Sequence, residues 1–502
     1  TGKININSTI DGLTDAEKAA GKEQPVNIGM RADTDPNAKV INNGEITIDG
    51  AYAIGMLAKG AKIANTGKIS STSIKNGTGI VGIGNSTVDN VGSVKVLGTG
   101  LTNNIGVFLK ETNGTATGTT ATGVTPEVEV SGDNSTGALV TGAGSSLTMK
   151  GNVTVSGNSI TGIVANGTTV KLEGDATVKV DNNGAEAGEI NKKGSYGIVV
   201  KGSAGKFEGK DTTVNTKVTT DKSIGLYSEG ELTVKKANVT ATDGAINFFA
   251  KDGKININGG GTTITGQKSL LFYTSGAGRV TLGGTMTATI KGGTTPSTRG
   301  TAFYYEHTGP TYGSFDTAAL TNFASTKFQN TLNHLNLTME AGSRLFVASN
   351  VEMNLSDTNP SGLVGALNLG GITGSDYKVF MLYLSRLKVN QAANLDDAND
   401  LYNKLEIANS SITNENTMTG SQNRQVAMAQ ENGSNPSGTP YAANKVTLIN
   451  EANGKINLTG EETTGMYAKR GVIENNGEIS VGKKSTAIYS EDDDAITAGT
   501  SA

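Results

Sequence analysis

The sequence has 502 residues, of which 69 are glycine, 8 are proline and none is cysteine. Without cysteine the chain has no disulfide scaffold, thiolate metal site or cysteine nucleophile, and 35% hydrophobic residues do not favour a large globular core. The net charge of −4 includes no basic tract, so nucleic acid and anionic membranes are poor partners. No apolar run approaches the roughly 18 residues of a membrane span.

Residues 1–299 are predicted as β-helix coils with a short helical insertion near 11–25. In that insertion, Thr14 and Glu17 have the spacing of a capping box, and Gly21 follows where a helix would end. The chain begins inside a coil and stops just after one, so we expect a fragment of a longer protein.

Two short sequence patterns, here called the first and the second phrase, alternate along these coils. The first is a strand of alternating apolar and polar residues behind a glycine, as in 44–48 (GEITI) and 477–481 (GEISV). The second is a small residue followed by apolar ones, as in 224–227 (IGLY). In the last copy of this phrase, we predict that the Ile488 side chain points into the interior of the coil. Successive glycines of the second phrase are roughly 22 to 35 residues apart, the length of a solenoid repeat.

Two architectures are compatible with these phrases. Asn-Gly before a strand signals a two-residue hairpin, which would give an antiparallel meander. In a β-helix, however, each strand stacks on the strand with the same sequence pattern in the next coil, which explains the repetition. Asn side chains stacked in this way can form hydrogen-bonded ladders. The sequence therefore predicts an all-β, right-handed parallel β-helix, since parallel crossovers are almost always right-handed.

Residues 300–445 are predicted as an elaborated or inserted mixed α/β lobe that interrupts the repeat. The pattern predicts a helix over 316–332, one long buried strand over 377–389, and a helix from Asn394 to Leu405. Residues 446–502 are predicted as coils that continue beyond the fragment.

An aromatic cluster opens this lobe. We predict ligand contacts from five of its residues: Tyr304, Tyr305, His307, Tyr312 and Phe315. Tyrosine-rich loops are favoured recognition surfaces. Packing is the alternative, because Phe303 and Tyr304 occupy the place of Leu226 and Tyr227 in an earlier coil.

Polysaccharide cleavage is the enzymatic alternative, since many β-helices perform it. It requires clustered carboxylates, often with Ca²⁺, and a base in a groove. The acidic residues here are scattered apart from 396–400, which a helix start explains, and 491–494, which is typical of a solvated corner or, alternatively, a cation site. His307 and His334 are the only histidines. We predict no enzyme activity, no catalytic residue and no metal site.

One motif resembles a cofactor fingerprint. Residues 77–82 (GTGIVG) match G-x-G-x-x-G, which binds dinucleotides when a helix follows. The following 83–87 (IGNST) do not form a helix pattern, so the match is the second phrase of the repeat. We predict no cofactor.

The alternating phrases, together with 380–385 (FMLYLS), 394–397 (NLDD) and 402–406 (YNKLE), resemble the passenger domain of the large fusobacterial type V autotransporter adhesins. This resemblance covers essentially the whole chain. It implies a β-helical passenger displayed outside the cell at the outer membrane, with a signal peptide and a C-terminal barrel elsewhere in the full protein. The absence of cysteine suits such export.

The resemblance also implies adhesion to other bacteria or to host-cell receptors or glycans. We expect a monomer whose fragment does not insert into the membrane and whose protruding lobe carries the binding site. A polysaccharide-binding or polysaccharide-cleaving β-helix, and a passive surface spacer, are the alternatives.

Overall fold

The computed structural model describes residues 2–116, 123–182, 194–307, 314–317, 323–328, 331–358, 372–396, 404–431, 447–469 and 471–491. The chain divides into two compact units, which are described separately. Unit 1 comprises Thr1–Lys291 with His334–Thr338, and unit 2 comprises Gly292–Asn333 with Met339–Ala502.

Unit 1 contains one sheet built from the second phrase, here called the glycine sheet. Its strands are Asn27–Asp33, Ala53–Lys59, Thr78–Ile83, Ile105–Lys110, Thr136–Thr141, Thr161–Asn166, Tyr196–Lys201, Ile224–Ser228, Ile246–Lys251 and Leu270–Ser275. Each strand pairs in parallel with the same phrase of the next coil. The predicted parallel β-helix is therefore confirmed.

The alternating phrase forms two sheets, so a coil of unit 1 has three strands where the sequence predicted two. The first of these sheets comprises Lys3–Thr9, Glu45–Ala51, Lys68–Ser70, Ile74–Lys75, Ser93–Val96, Glu127–Ser131, Asn152–Gly157, Thr177–Asn182, Gly261–Thr265 and Met286–Ile290. The second comprises Lys39–Asn42, Lys62–Asn65, Thr87–Val88, Asn113–Ala116, Ser146–Lys150, Thr169–Glu173, Lys254–Ile257 and Arg279–Leu282. Lys206–Thr219 and Glu231–Thr242 contribute to both. A period of two cannot distinguish these sheets, because both point alternate apolar residues inward.

Unit 2 repeats the arrangement. Strands of the second phrase are Thr301–Glu306, Arg344–Ser349, Lys378–Tyr383, Leu405–Ala408, Val426–Glu431, Thr464–Lys469 and Thr486–Glu491. The other strands are Glu352–Asn354, Ile372–Gly374, Arg386–Val389, Ala393–Asn394, Ser411–Asn414, Thr417–Gly420, Thr447–Asn450, Lys455–Leu458, Val472–Asn475 and Glu478–Val481. The strand Leu335–Met339 is divided between the units: residues 335–338 are assigned to unit 1, and Met339 is assigned to unit 2.

The described strands within 300–445 continue the repeat. The elaborated or inserted lobe predicted for this stretch stays a prediction, because its longer connections lie mostly outside the described residues. Arg344–Ser349 pairs in register with Thr301–Glu306 and with Lys378–Tyr383. The long strand predicted over 377–389 is two strands, because Leu384 has a φ of 49° and turns the chain between them. A corner is needed at this point because the two halves belong to different sheets.

The helices are short. The capping box of Thr14 and Glu17 is confirmed at the start of helix Asp15–Ala19, and Gly21 has a φ of 71° after its end. Other helical turns are Pro296–Thr298, Phe323–Lys327, Leu332–His334 and Leu355–Thr358. The helix predicted over 316–332 is reduced to two of these turns in the described residues. Most of the helix predicted over 394–405 lies outside the described residues.

The interior is a narrow apolar column with polar ladders at the corners. Asn42 Nδ2 donates to Asn65 Oδ1 at 2.8 Å. Asn414 Nδ2 donates to Asn450 Oδ1 at 2.8 Å, and Asn450 Nδ2 donates to Asn475 Oδ1 at 2.8 Å. The predicted asparagine ladders are confirmed, and they satisfy corner side chains that burial would otherwise leave without hydrogen bonds.

The glycine of the second phrase marks a break in strict alternation. In Thr136–Thr141, both Gly137 and Ala138 face the interior, while Thr136 and Leu139 face outward. A Cβ on Gly137 would lie 2.6 Å from the carbonyl oxygen of Gly162 in the next coil and 2.7 Å from Val153 Cγ1 across the interior. The close approach of backbone and facing side chain explains why this position is small.

Replacing Gly137 by valine should destabilise unit 1 by about 3 kcal/mol or more, because the added carbons overlap backbone that cannot move away. The matched control is Thr136→Val, whose side chain faces outward and should change stability by no more than about 0.5 kcal/mol. Thermal unfolding and amide hydrogen exchange in strands Ile105–Lys110 and Thr161–Asn166 would measure both. Equal protection in the two variants would contradict the close-approach explanation.

Candidate binding surface

The aromatic cluster predicted to bind ligand begins with a coil strand, Thr301–Glu306. Phe303 and Tyr305 face the interior, with 1% and 4% exposure, and Tyr304 is half-buried on the outer side. The Phe303 ring packs edge-on against Phe323 and Phe328, at centroid distances of 5.3 and 5.0 Å. The packing alternative therefore describes much of this cluster.

Tyr305 is a core residue and not a surface contact. Its hydroxyl donates a hydrogen bond to Asp316 Oδ2, and Asp316 pairs with Val351 as an isolated parallel bridge. The bond joins a coil strand to the connection that follows it. The prediction of Tyr305 as a ligand contact is corrected, because alternation along the strand turns its ring inward.

The remaining predicted contacts lie in different surroundings. Burial raises the pKa of Tyr304 to about 12, and the nearby Glu306 carboxylate adds to this rise. The backbone N–H of His307 donates to the Ser349 carbonyl at 3.0 Å. The half-buried Phe315 ring lies 5.0 Å from Arg386 Cζ, in a cation–π contact. Tyr312 lies outside the described residues.

A buried ionic cluster in unit 2 joins three coils. Glu406 accepts hydrogen bonds from Arg299 Nη1 at 2.7 Å and from Arg344 Nε and Nη2 at 2.8 and 2.6 Å. The three side chains are 14%, 16% and 10% exposed, in that order. Burial raises the pKa of Glu406, but the guanidiniums more than offset this and hold its pKa below the ordinary value. We assign the cluster a structural role, because both oxygens of the Glu406 carboxylate accept hydrogen bonds from arginine side chains.

Unit 1 carries an apolar outer surface that the sequence analysis did not anticipate, here called the apolar face. It consists of two outward positions in the nine strands from Ala53–Lys59 to Leu270–Ser275. They are here called the first and the fourth, because they align with Thr136 and Leu139 of strand Thr136–Thr141. The fourth positions are Leu57, Val81, Phe108, Leu139, Val164, Val199, Tyr227, Phe249 and Tyr273, aligned by strand register. The first positions are Ile54, Thr78, Ile105, Thr136, Thr161, Tyr196, Ile224, Ile246 and Leu270.

These outward side chains are apolar or aromatic, apart from three threonines. Most of them are half-buried, because each packs against the strands above and below it. Phe249 and Tyr273 stack with ring centroids 4.2 Å apart, and Tyr227 meets Phe249 edge-on at 5.3 Å. A continuous apolar patch of this kind on a surface marks an interaction site.

A cavity of about 400 Å³ opens within the apolar face, a volume in the range of ligand pockets. Thr161, Val164, Tyr196, Val199, Lys201, Ile224, Tyr227 and Glu229 line it. Tyr227 donates its hydroxyl proton to Glu229 Oε1 at 2.5 Å, and the backbone N–H of Gly202 donates to Glu229 Oε2 at 2.9 Å. Burial and this bond raise the pKa of Tyr227, so the phenol stays protonated at neutral pH. The cavity thus combines apolar walls with a fixed carboxylate at its mouth.

Charged side chains lie along one edge of the glycine sheet in six of its strands, at the sixth position, which is the one aligned with Thr141. Asp33, Lys59, Lys110 and Lys201 lie on this edge by strand register. Glu229 and Lys251 follow one residue after Ser228 and Ala250, which pair with each other. The edge gives the apolar face a fixed order of charges along the coils.

No protein-family model matches the sequence, and no curated protein matches it. Among solved structures, the chain is similar to the crystal structure of the autotransporter UpaB from E. coli strain CFT073. The identity is 10% over 93% of this chain and 94% of that chain, with a TM-score of 0.20. The likeness carries no argument about function at that score. The fold is a parallel β-helix, and the strand pairing of each unit establishes it.

The described residues were compared with the requirements of a metal site and of a membrane-spanning helix. No three histidine, aspartate or glutamate side chains in the described ranges come together in a way that could hold a metal ion. Among those same ranges, no helix is both long enough and apolar enough to cross a membrane.

The sequence contained a signal for the apolar face. The residue after the inward apolar residue of the second phrase is aromatic in successive coils, at Tyr227, Phe249 and Tyr273. Its exposure could not be deduced, because a buried strand has the same composition. Only the stacking of strands shows that these residues share one outer surface.

Proposed function

We propose that this chain is the extracellular passenger of a surface adhesin and attaches to a partner through the apolar face. The partner is a surface protein of another bacterium or a host-cell receptor or glycan. The observation that carries the proposal is the row of half-buried apolar and aromatic side chains on the glycine sheet with the cavity set in it. Leu57, Val81 and Val199 are the members of this row that are buried, with 8%, 9% and 5% exposure. Leaving such a surface in water costs roughly 25 cal/mol for each Å² of apolar area, and a partner would remove that cost.

The binding site moves from the lobe to unit 1 in this proposal. Tyr305 is buried, and the half-buried Phe315 ring has one face in contact with Arg386. On the apolar face, by contrast, the outward residues of successive coils form a single patch. A passive spacer gains nothing from an apolar surface, whereas an adhesin needs one.

Substituting Leu139 by aspartate should reduce attachment at least about tenfold, because the charge interrupts the centre of the patch and must be desolvated on binding. Thr148→Asp is the matched control, since Thr148 is also half-buried and outward but lies on another sheet. The measurement is attachment of beads coated with each variant to partner bacteria and to host cells, after thermal unfolding has shown that both variants are folded. Attachment that is the same for both variants would contradict the proposal. Release of reducing ends from oligosaccharides would instead support the enzyme alternative.

A further inference from the structure

The apolar face has the dimensions of a protein interface. The nine strands of the face, from Ala53–Lys59 to Leu270–Ser275, span about 40 Å at ~4.8 Å between neighbours, and six residues of each strand span about 17 Å. The area is roughly 700 Å², close to the ~800 Å² that each partner contributes to a stable complex. The surface is also flat and repetitive, so a second flat sheet can pack on it.

We propose that the apolar face pairs with the same face of a second copy of this chain, with the two stacks of coils antiparallel. The inference rests on the proposed function, because it names the partner of the same surface. It replaces the expectation of a monomer. We place the two-fold axis along strand Thr136–Thr141, one strand away from the centre of the apolar face, so each strand meets the strand equally far from the axis on the other side. In this alignment Asn27–Asp33 joins the interface and Leu270–Ser275 extends beyond it.

The order of charges along the edge favours this alignment. With the axis at strand Thr136–Thr141, Asp33 of one copy meets Lys251 of the other, and Lys59 meets Glu229. The two-fold axis makes each of these pairs twice. The other two lysines, Lys110 and Lys201, meet the neutral residues Asn166 and Ile83. At the sixth positions no two like charges face each other. Arg31, at the fourth position of strand Asn27–Asp33, forms an ion pair with Asp33 of its own strand and would face Phe249 of the other copy.

Neighbouring alignments are unfavourable. Moving the axis by half a strand spacing in one direction places Lys59 against Lys251 and Lys110 against Lys201. Moving it in the other direction places Asp33 against Glu229 and Lys59 against Lys201. A larger shift, to the strand Thr161–Asn166, retains one opposite pair, Lys110 with Glu229, and loses the contacts of Asp33. Like charges at an interface suppress wrong pairings, so the edge selects the register while the apolar residues supply the contact.

Sedimentation equilibrium of the full chain tests the pairing through a charge exchange. Lys59→Glu and Glu229→Lys should each weaken dimerisation about tenfold, and the double variant should return to within about threefold of the unmodified chain. Glu229→Lys also removes the hydrogen bond from Tyr227, so restoration by the second substitution shows that the effect is between chains. Lys179→Glu, on another sheet, is the control and should leave dimerisation unchanged.

A chain that remains monomeric at all concentrations would overturn the inference, as would a double variant weaker than either single one. A monomeric chain whose Leu139→Asp variant still loses attachment would overturn the pairing and leave the proposed receptor binding intact. A dimer disrupted by Leu139→Asp without any change in attachment would support the pairing and contradict the proposed function.

Discussion

Replacing Glu406 by glutamine is expected to destabilise unit 2 by about 3–5 kcal/mol. The change keeps the shape of the side chain and removes the negative charge that Arg299 and Arg344 share. Two guanidiniums would then stay buried without a counter-charge, and unpaired buried charge is far more costly than a missing surface ion pair. The three side chains are at most 16% exposed, so solvent screens this cluster little.

The matched control is Glu462→Gln. Arg424 and Glu462 also form an ion pair, at 2.9 Å, but their side chains are 81% and 47% exposed. Such a surface pair contributes about 0–1 kcal/mol. Urea unfolding followed by circular dichroism and by hydrogen exchange in strands Arg344–Ser349 and Leu405–Ala408 compares the two variants. Equal loss of stability would show that the buried cluster is no stronger than a surface pair.

The same cluster predicts a dependence of stability on acid. The folded state holds the pKa of Glu406 below its ordinary value, so the unfolded chain binds this proton more readily. The contribution of Glu406 is therefore fully present above the unfolded pKa, about 4.3, and is lost as pH falls through the folded pKa. The stability difference between the unmodified chain and Glu406→Gln should shrink across that range. A difference that stays constant to low pH would contradict the assignment.

Substitution of Met466 by aspartate is the second change with a large expected effect, about 4 kcal/mol or more. Met466 is 0% exposed in the inward column of strand Thr464–Lys469, so the substitution removes a buried side chain and introduces a polar one without partners. Because a repeat protein unfolds in segments, the loss should be local. Hydrogen exchange in Val426–Glu431 and Lys455–Leu458 should accelerate.

Ile488→Asp provides the control for this experiment. Ile488 pairs with Met466 in the strand register, and the sequence predicted that it is buried. Ile488 is 43% exposed, because Thr486–Glu491 is the last strand among the described residues. The aspartate would remain hydrated, and we expect a loss of less than about 1 kcal/mol. Equal effects at the two positions would contradict the inward assignment of Met466.

The repeat was predictable because each phrase carries its own local geometry. An asparagine or glycine corner followed by alternating residues defines a short strand, and the recurrence of each phrase implies stacking of like on like. The ladder from Asn414 through Asn450 to Asn475 follows directly from that recurrence. The capping box of Thr14 and Glu17 was equally local, so it could be assigned from four residues.

The sequence did not show which side of a strand the aromatic residues face. Tyr305 belonged to an aromatic cluster by composition, but its place in the strand turns it inward to Asp316. The sequence did not show that coil strands continue through 300–445, for a related reason. Long connections between coils hide the repeat in the sequence, although the strands on either side remain in register.

By itself, the sequence determined the class of fold and the asparagine ladders, because each phrase recurs, and the short capped helix, because neighbouring residues fix its start. Tertiary structure alone decided the apolar face, the cavity beside Tyr227 and the cluster around Glu406. Their members lie far apart along the chain. Successive second phrases are roughly 22 to 35 residues apart, which is the length of a solenoid repeat. Arg344 and Glu406 are 62 residues apart. Stacking brings such residues onto one surface, and no local pattern records which outer positions will meet.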